Sequence, residues 1–590
     1  MNLTATPTRR ARPIKQQFRY LTEALDYAAE GVSGVNFYDG RGKLTAALTY
    51  AGLRHRAVAW AYRLAALQLP RGARVAIVAT TEPDFHVMFY ACHYAGLTPV
   101  PVPPPLQLGG RHEYADHLHG LLNVSGAEVC VGPQHCDSVM TASARGLRMR
   151  FVGSFEEFSG TTPTCIPLHC LTTSEPAYLQ FTSGSTRFPR GVIISNRALM
   201  SNLLRTTEHL AVNDDDRAVS WLPYYHDMGL VGMILAPMST QMSVDYLGSR
   251  EFAMRPRQWL LRLSESRATI SFAPPFGYEL CTRNIDESTL ERIDLSAWRI
   301  AGVGADQIRP ATLAAFAARV RLSGFDARAF LPCYGLAEST LAVTLGRLNA
   351  GIAYETIDRD QLSQTGCAVL LPDTTPEQPA RSAAVFVDCG MPLPDHTIEI
   401  LDPNGIALPD RHCGAVFVRG PSTMSGYLDE HNQSPRIRAP DEALATGDIG
   451  YLVAGRLFVT GREKDMMISN GRNVWPQDLE FVAEQCDGVR TGDTSAFSVP
   501  DTEGREQIVL VVQCRQRETG RRLELIRHLR GAIMRELGID CIIDLVPPRT
   551  LNRTSSGKLS RAATRAGYLN RSATNALPQC AANDARYRAG

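Results

Sequence analysis

What the chain lacks narrows its function first. Neither sign of charge is in surplus, since Lys and Arg total 61 against 60 Asp and Glu. There is thus no bulk positive field to hold a polynucleotide backbone or an anionic membrane, and no nucleic-acid partner is expected. No run is long and apolar enough to span a bilayer. The segment MNLTATPTRRARPIKQQFRYL carries Arg9, Arg10, Arg12 and Lys15 with no signal-length apolar run behind them, so a cytoplasmic location is expected. The 14 cysteines include no C-x-x-C pair, and neither Cys130 with Cys136 nor Cys165 with Cys170 has a familiar zinc spacing; reduced, mostly buried thiols are expected. His112, Glu113, His117 and His119 cluster in sequence, but the first two histidines do not have the i, i+4 spacing that places both on one helical face. No metal centre is expected there.

A core, by contrast, is amply provided. With 590 residues, 44% hydrophobic and 21% charged, the chain can bury a large interior and should divide into more than one folding unit. Between residues 45 and 250, short apolar runs such as 75–79 and 192–194 alternate with helix-like stretches such as 51–69, which predicts α/β architecture with mostly parallel sheet. Residues 398–451 change to short strands punctuated by Pro and Gly (IEILDPNGIALPD, GAVFVRGP), predicting a β-rich subdomain. After Gly461 the texture changes again, with strands predicted over 495–512, a helix over 523–537 and a polar tail. A boundary is placed between 462 and 463, giving units 1–462 and 463–590.

The most informative stretch is 178–192, YLQFTSGSTRFPRGV, a strand running into a hydroxyl- and glycine-rich turn. Thr182, Ser183, Ser185 and Thr186 supply hydroxyl donors, Gly184 and Gly191 let backbone approach phosphate oxygens, and Arg190 adds fixed positive charge. No Lys-Ser/Thr pair follows Gly191, so this is not the P-loop of NTPases. A Ser/Thr-rich surface turn would have the same composition.

This loop resembles the signature loop of the adenylate-forming superfamily of acyl-CoA synthetases, fatty acyl-AMP ligases and peptide synthetase adenylation domains. Further motifs resembling that family follow in order: WLPYYHDMGLVG (221–232), GAD (304–306), YGLAES (334–339), ATGDIGYL (445–452), GREKDMMISNGRN (461–473) and NRTSSGKLSR (552–561). Together they extend over nearly the whole chain. The resemblance implies a large adenylating domain of two doubly wound α/β subdomains and a β-rich subdomain, followed by a small mobile α+β domain. It also implies ATP and Mg²⁺ as cofactors and a carboxylate joined to the α-phosphorus with loss of pyrophosphate.

Residue roles follow from the same resemblance. Thr182, Ser183, Gly184, Ser185, Thr186 and Arg190 would hold the β- and γ-phosphates, and Glu338 with Thr186 would ligate Mg²⁺, a hard cation that takes oxygen ligands. Gly304 and Ala305 would line the adenine base and Tyr334 would stack on it, with Asp306 and Gly335 also among the nucleotide-binding residues. Asp448 would accept from the ribose hydroxyls, with Arg462 near ribose and phosphates. Lys558 would offset charge at the α-phosphate and substrate carboxylate, His226 would gate the acyl pocket, and Lys464 would be the hinge between domains. The run APPFGYE (273–279) would line an acyl tunnel, although a core strand and turn would look the same.

Four positions depart from the family pattern: Arg187 for Gly, Arg190 for Lys, Asp306 for Glu and Asn552 for Pro. An Arg fork does not bind phosphate as a compact ammonium does. Between Glu338 and the next family element, VDCGMPLPDHTIEIL (387–401), lie about fifty residues, more than in acyl-CoA synthetases. The extra piece, 351–381, contains the apolar CAVLL (367–371), which suggests a hairpin or strand docked on the body. Such an insertion, together with 89–105 and 252–283, resembles fatty acyl-AMP ligases, which pass the acyl group to the phosphopantetheine thiol of a holo acyl carrier protein. The resemblance thus implies a fatty acid substrate and a carrier-protein partner. The competing readings are an acyl-CoA synthetase and a catalytically silent nucleotide-binding homologue.

Overall fold

The computed structural model describes residues 18–105, 111–182, 190–371, 383–428, 442–469, 472–501, 506–553 and 559–584. Near-continuous apolar runs form strands buried on both faces, as parallel sheets require. Thr98–Val102, Arg74–Val78, Val129–Gly132 and Phe151–Ser154 make a four-stranded, all-parallel sheet. A nine-stranded sheet runs from Met391–Pro392 through Ala342–Leu345, Phe330–Gly335, Ile300–Val303, Ile270–Ala273, Arg217–Ser220 and Ser243–Leu247 to Gly34–Tyr38 and Leu44–Thr49. Its inner pairs are parallel and its edge pairs antiparallel. Helices including Tyr50–Ala66 and Pro83–Tyr94 cover these sheets. Trp259, Trp298, Tyr278 and Phe316 are packed in the core, with Trp259 and Trp298 ring centres 5.3 Å apart; each contributes about 2–3 kcal/mol of burial.

One departure from the expected parallel order matters for the site. Pro176–Phe181 and Gly191–Ser195 pair antiparallel, and Gly426–Tyr427 adds to the outer edge of Gly191–Ser195. The connection 182–190 is too short for the crossover of about a dozen residues that a parallel pair needs.

The β-rich expectation for 398–451 is met by an antiparallel sheet of Thr397–Leu401, Gly414–Arg419, Leu444–Val453 and Arg456–Arg462. Thr494–Pro500, Glu506–Gln513 and Ile542–Val546 form a further sheet. Against it the helices Pro476–Glu484 and Thr519–Leu537 bury a separate cluster that includes Leu479, Leu510, Leu529 and Ile533. The second helix begins at Thr519 rather than at 523; its first turn is polar and exposed and so carries no apolar period in the sequence.

One local expectation is corrected and one alternative reading is set aside. CAVLL is not a strand: the Ala368 N–H goes to the Arg411 carbonyl and the Leu371 N–H to the Thr356 carbonyl. With its bonds divided between two partners, the segment makes only single bridges, Cys367 with His412 and Leu370 with Ile357, and leaves Val369 and Leu370 exposed. The hairpin there is instead Tyr354–Asp358 with Ala383–Val387. It is held to the β-rich sheet by Arg411, which grips both Glu355 oxygens at 3.1 and 2.8 Å, and by the Tyr451 hydroxyl. APPFGYE is not a strand and turn either. Pro275 stands at the first position of the helix Pro275–Asn284, where its missing N–H costs nothing.

Candidate active site

The turn predicted to hold phosphates starts and ends in register, because the Thr182 N–H donates to the Arg190 carbonyl at 3.0 Å. Ser183, Gly184, Ser185 and Thr186 lie outside the described residues, as does Lys558. Arg190 is exposed and its guanidinium lies over the Tyr427 ring, 5.3 Å from the centroid. The Tyr427 hydroxyl in turn donates to Glu338 Oε1 at 2.7 Å. Burial and the Glu338 carboxylate push the Tyr427 phenol up, so it remains a donor.

Glu338 sits in a short turn whose conformation is constrained from several sides. Its carbonyl accepts from the Met424 N–H at 2.7 Å. The buried Asn202 amide reaches the carbonyls of Ser339 and Ala342. Thr340 is held at φ +68°, with its hydroxyl donating to the Ser422 carbonyl at 2.7 Å. Ala305, in the GAD turn, is the second strained non-glycine here, at φ +66°. Strain of this kind persists only where surroundings over-determine it. A Cβ on Gly304 would meet the Cys333 carbonyl oxygen at 2.6 Å, so glycine is required for the turn to lie against the strand that ends in Tyr334 and Gly335. Asp306 is exposed; burial opposes the charge of Arg309 and Arg561, but Glu484 and Glu480 respectively raise their guanidinium pKa values, with Asp306 adding a smaller share.

Tyr334 is half-buried and donates to Asp448 Oδ2 at 2.7 Å, while Arg462 Nε lies 3.2 Å from Asp448 Oδ1. Asp448 itself is 6% exposed and its N–H is fixed by the Thr446 hydroxyl. Lys464 follows in the turn Glu463–Asp465. Partial burial and then the neighbouring Arg462 lower its ammonium pKa, with Arg190 adding to the effect. Thr182, Arg190, Gly304, Ala305, Tyr334, Gly335, Glu338, Asp448, Arg462 and Lys464 therefore line one region, and the donor set suits a magnesium nucleotide. It offers a carboxylate for a hard cation, guanidinium groups for phosphates, and backbone without Cβ beside an aromatic ring.

His226 caps the helical turn Asp227–Leu230, its Nδ1 2.8 Å from Asp227 Oδ1. A π-helical turn, Val231–Leu235, follows. Next to it, Trp221 stacks on Phe252 with ring centres 3.7 Å apart, and Phe276 meets the same indole edge-on at 5.7 Å. A Cβ on Gly277 would press within 2.7 Å of that indole. The APPFGYE helix thus contributes Phe276 and Gly277 to this aromatic wall.

Sequence reasoning missed Tyr427, whose GY dipeptide carries no charge signal, and the contacts between the small C-terminal unit and the body. In these, Arg309 Nη1 lies 2.7 Å from Glu484 Oε2 with its guanidinium over Phe481, and Arg359 Nε lies 3.5 Å from Asp478 Oδ2. Among the described residues no helix is long and apolar enough to cross a membrane.

Comparison with known proteins gives a consistent picture. The profile of the family described as AMP-binding enzyme matches residues 35–428. A Caulobacter vibrioides protein with the provisional name acyl-CoA synthetase is 40% identical over 570 residues, 96% of this chain and 98% of its own. The medium-chain-fatty-acid–[acyl-carrier-protein] ligase JamA of Moorena producens is 30% identical over 576 residues, 94% of this chain and 96% of its own. Among solved structures, one from a study of fatty acyl-adenylate ligases of E. coli and L. pneumophila superposes with a TM-score of 0.89 at 43% identity, covering 95% of this chain and 100% of that one.

Proposed function

We propose that this chain, which belongs to the AMP-binding enzyme family, activates a fatty acid as its acyl-adenylate and then passes the acyl group to the phosphopantetheine thiol of a holo acyl carrier protein. A carboxylate oxygen attacks the α-phosphorus of ATP, the bond to the bridging oxygen breaks, and pyrophosphate leaves. The thiolate sulfur of the carrier then attacks the acyl carbon and AMP departs.

In this reading the chain's own groups work mainly by orienting anions and offsetting their repulsion. Arg190 and the hydroxyls of Thr182 to Thr186 hold the β- and γ-phosphates. Tyr334 stacks on adenine over Gly304 and Ala305, Asp448 accepts from the ribose hydroxyls, and Arg462 approaches ribose and phosphate. Lys558 neutralises charge where carboxylate meets α-phosphate, and His226 stands at the mouth of the acyl pocket. Glu338, with Thr186, would hold Mg²⁺, which when bound neutralises and aligns phosphate oxygens. The domain division at 462/463, with Lys464 as hinge, is supported by the separate hydrophobic cluster beyond Met467.

The observation that carries the reading is the convergence of Arg190, Glu338, Tyr334, Asp448 and Arg462 beside a GAD turn strained at Ala305. The acyl-CoA synthetase reading is favoured by the provisional name of the C. vibrioides relative, whereas the ligase named for its carrier-protein acceptor supports transfer to a carrier. One experiment decides between them. The enzyme is given ATP, Mg²⁺ and fatty acids of graded length, acyl-AMP and pyrophosphate are measured, and CoA or holo carrier protein is then supplied separately. Acyl-AMP formation followed by acylation of the carrier and little acyl-CoA is the expected result.

A further inference from the structure

Between the turn that begins at Thr182 and the turn that carries Glu338 stands one aromatic ring, and backbone pairing fixes its place. Gly426 pairs with Ile193 and Tyr427 with Val192, while the Leu428 N–H donates to the Gly191 carbonyl at 2.7 Å. Tyr427 therefore lies where the phosphate turn rejoins its strand. Two residues earlier on the same segment, the Ser425 N–H bonds the Ile193 carbonyl, and the Met424 N–H bonds the Glu338 carbonyl. Three distant parts of the chain are thus stitched together through main-chain groups, and their side chains meet at Tyr427.

We propose that Tyr427 is a positioning residue that ties the phosphate-turn cation Arg190 to the carboxylate of Glu338. The proposal rests on the adenylating function above. The Arg190 guanidinium carbon lies 5.3 Å from the Tyr427 ring centre and the same group also acts on the Tyr427 hydroxyl, and with five N–H donors an arginine held this way still has others for phosphate oxygens. A lysine ammonium, strongly hydrated and without a flat face, gains less from the same ring. Arg190 in place of the family's usual Lys is thereby accommodated, because Tyr427 supplies a platform that an Arg can use. The same ring's hydroxyl donates to Oε1 of Glu338 at 2.7 Å, which fixes the orientation of the carboxylate that would hold a hard cation. Tyr427 itself touches neither nucleotide nor metal in this account.

Full-length wild type, Tyr427→Phe, Tyr427→Leu, Arg190→Lys and the Tyr427→Leu/Arg190→Lys double variant, each shown to be folded by its melting curve, are titrated with ATP by calorimetry, once with Mg²⁺ and once with EDTA. Mn²⁺ affinity in the presence of ATP is read separately by electron paramagnetic resonance. Tyr427→Phe keeps the platform and loses one hydrogen bond to a charged group, so metal-dependent ATP affinity and Mn²⁺ affinity fall about tenfold while metal-free ATP affinity stays at the wild-type value. Tyr427→Leu also weakens metal-free binding, and Arg190→Lys then costs much less in the double variant than in the wild-type background. Wild-type metal affinity in Tyr427→Phe, or strict additivity of Tyr427→Leu and Arg190→Lys, overturns the proposal alone. A wild-type enzyme that binds no magnesium nucleotide overturns the adenylating function with it.

Discussion

Asp448 faces Arg462 across the register of two antiparallel strands, and both carboxylate oxygens are engaged, Oδ1 by Arg462 at 3.2 Å and Oδ2 by the Tyr334 hydroxyl at 2.7 Å. The acid is buried at the end of a hairpin that ends at the expected hinge. Its orientation is set by the fold before any ligand arrives, which suits a group meant to bind ground and transition states alike.

Asp448→Ala is accordingly expected to raise the KM for ATP about tenfold or more while kcat changes by less than about threefold. Tyr334→Phe removes only one of the two orienting contacts and has a smaller effect on the same constant. Steady-state kinetics with ATP varied at saturating fatty acid checks both, and an unchanged KM in Asp448→Ala removes the ribose assignment.

Lys558→Ala should nearly abolish acyl-adenylate formation while ATP still binds. Leaving the charge between carboxylate and α-phosphate uncompensated costs on the order of 3 kcal/mol, a hundredfold or more in rate. Pyrophosphate release measures the loss and calorimetric ATP titration the retained binding; wild-type pyrophosphate release by the variant rules the role out.

Arg190 was legible from the hydroxyl- and glycine-rich loop it closes. Glu338, Asp448 and Arg462 were singled out because YGLAES, ATGDIGYL and GREKDMMISNGRN resemble motifs of the adenylate-forming superfamily, and the structure brings the four side chains into one region. Tyr427 was not legible, since its place depends on the pairing of Gly426 with Ile193, a contact between segments far apart in sequence. CAVLL misled because apolar composition says nothing of where backbone hydrogen bonds go, and here they divide between Arg411 and Thr356. In APPFGYE the two prolines carried the signal for a helix start, and the apolar residues around them hid it.

Acid should weaken the tie between Arg71 and Glu175. Arg71 donates to both Glu175 oxygens, at 2.6 and 2.7 Å, and chiefly for that reason the carboxyl is lowered to about 2, despite some burial. A carboxyl depressed in the folded state stabilises above its unfolded pKa, and that contribution is lost as pH falls from about 4.5 towards 2. Arg71→Ala should therefore destabilise the protein at neutral pH by no more than about 1 kcal/mol, because solvent reaches the pair. The gap from wild type in denaturant midpoint should close through that acidic window. A gap that stays constant from pH 7 to pH 3 contradicts the assignment.

The contact between Arg359 and Asp478 bears most directly on the acceptor. Arg359 opens the helix Arg359–Thr365 within the inserted segment, and Asp478 lies in the first turn of Pro476–Glu484, across the expected hinge. At 3.5 Å the pair is held by charge more than by a hydrogen bond. Burial raises the Asp478 carboxyl, opposed by Arg359 and Arg309, so the acid is costly to leave unpaired. A second tie, Arg309 to Glu484 at 2.7 Å, holds the other end of the same helix. Removing the whole insertion would also strip Ala383–Val387 of its partner strand and Arg411 of Glu355, so point substitutions are the cleaner test. Arg359→Ala combined with Arg309→Ala should loosen the small domain, seen as faster limited proteolysis between 463 and 476. Acyl-CoA formation should then rise severalfold while acyl-adenylate formation is largely kept, because neither arginine belongs to the groups expected to hold ATP. Efficient acyl-CoA production by the unmodified enzyme would defeat the carrier-protein reading outright, whereas a folded double variant that still refuses CoA defeats only the restraint assigned to these two arginines.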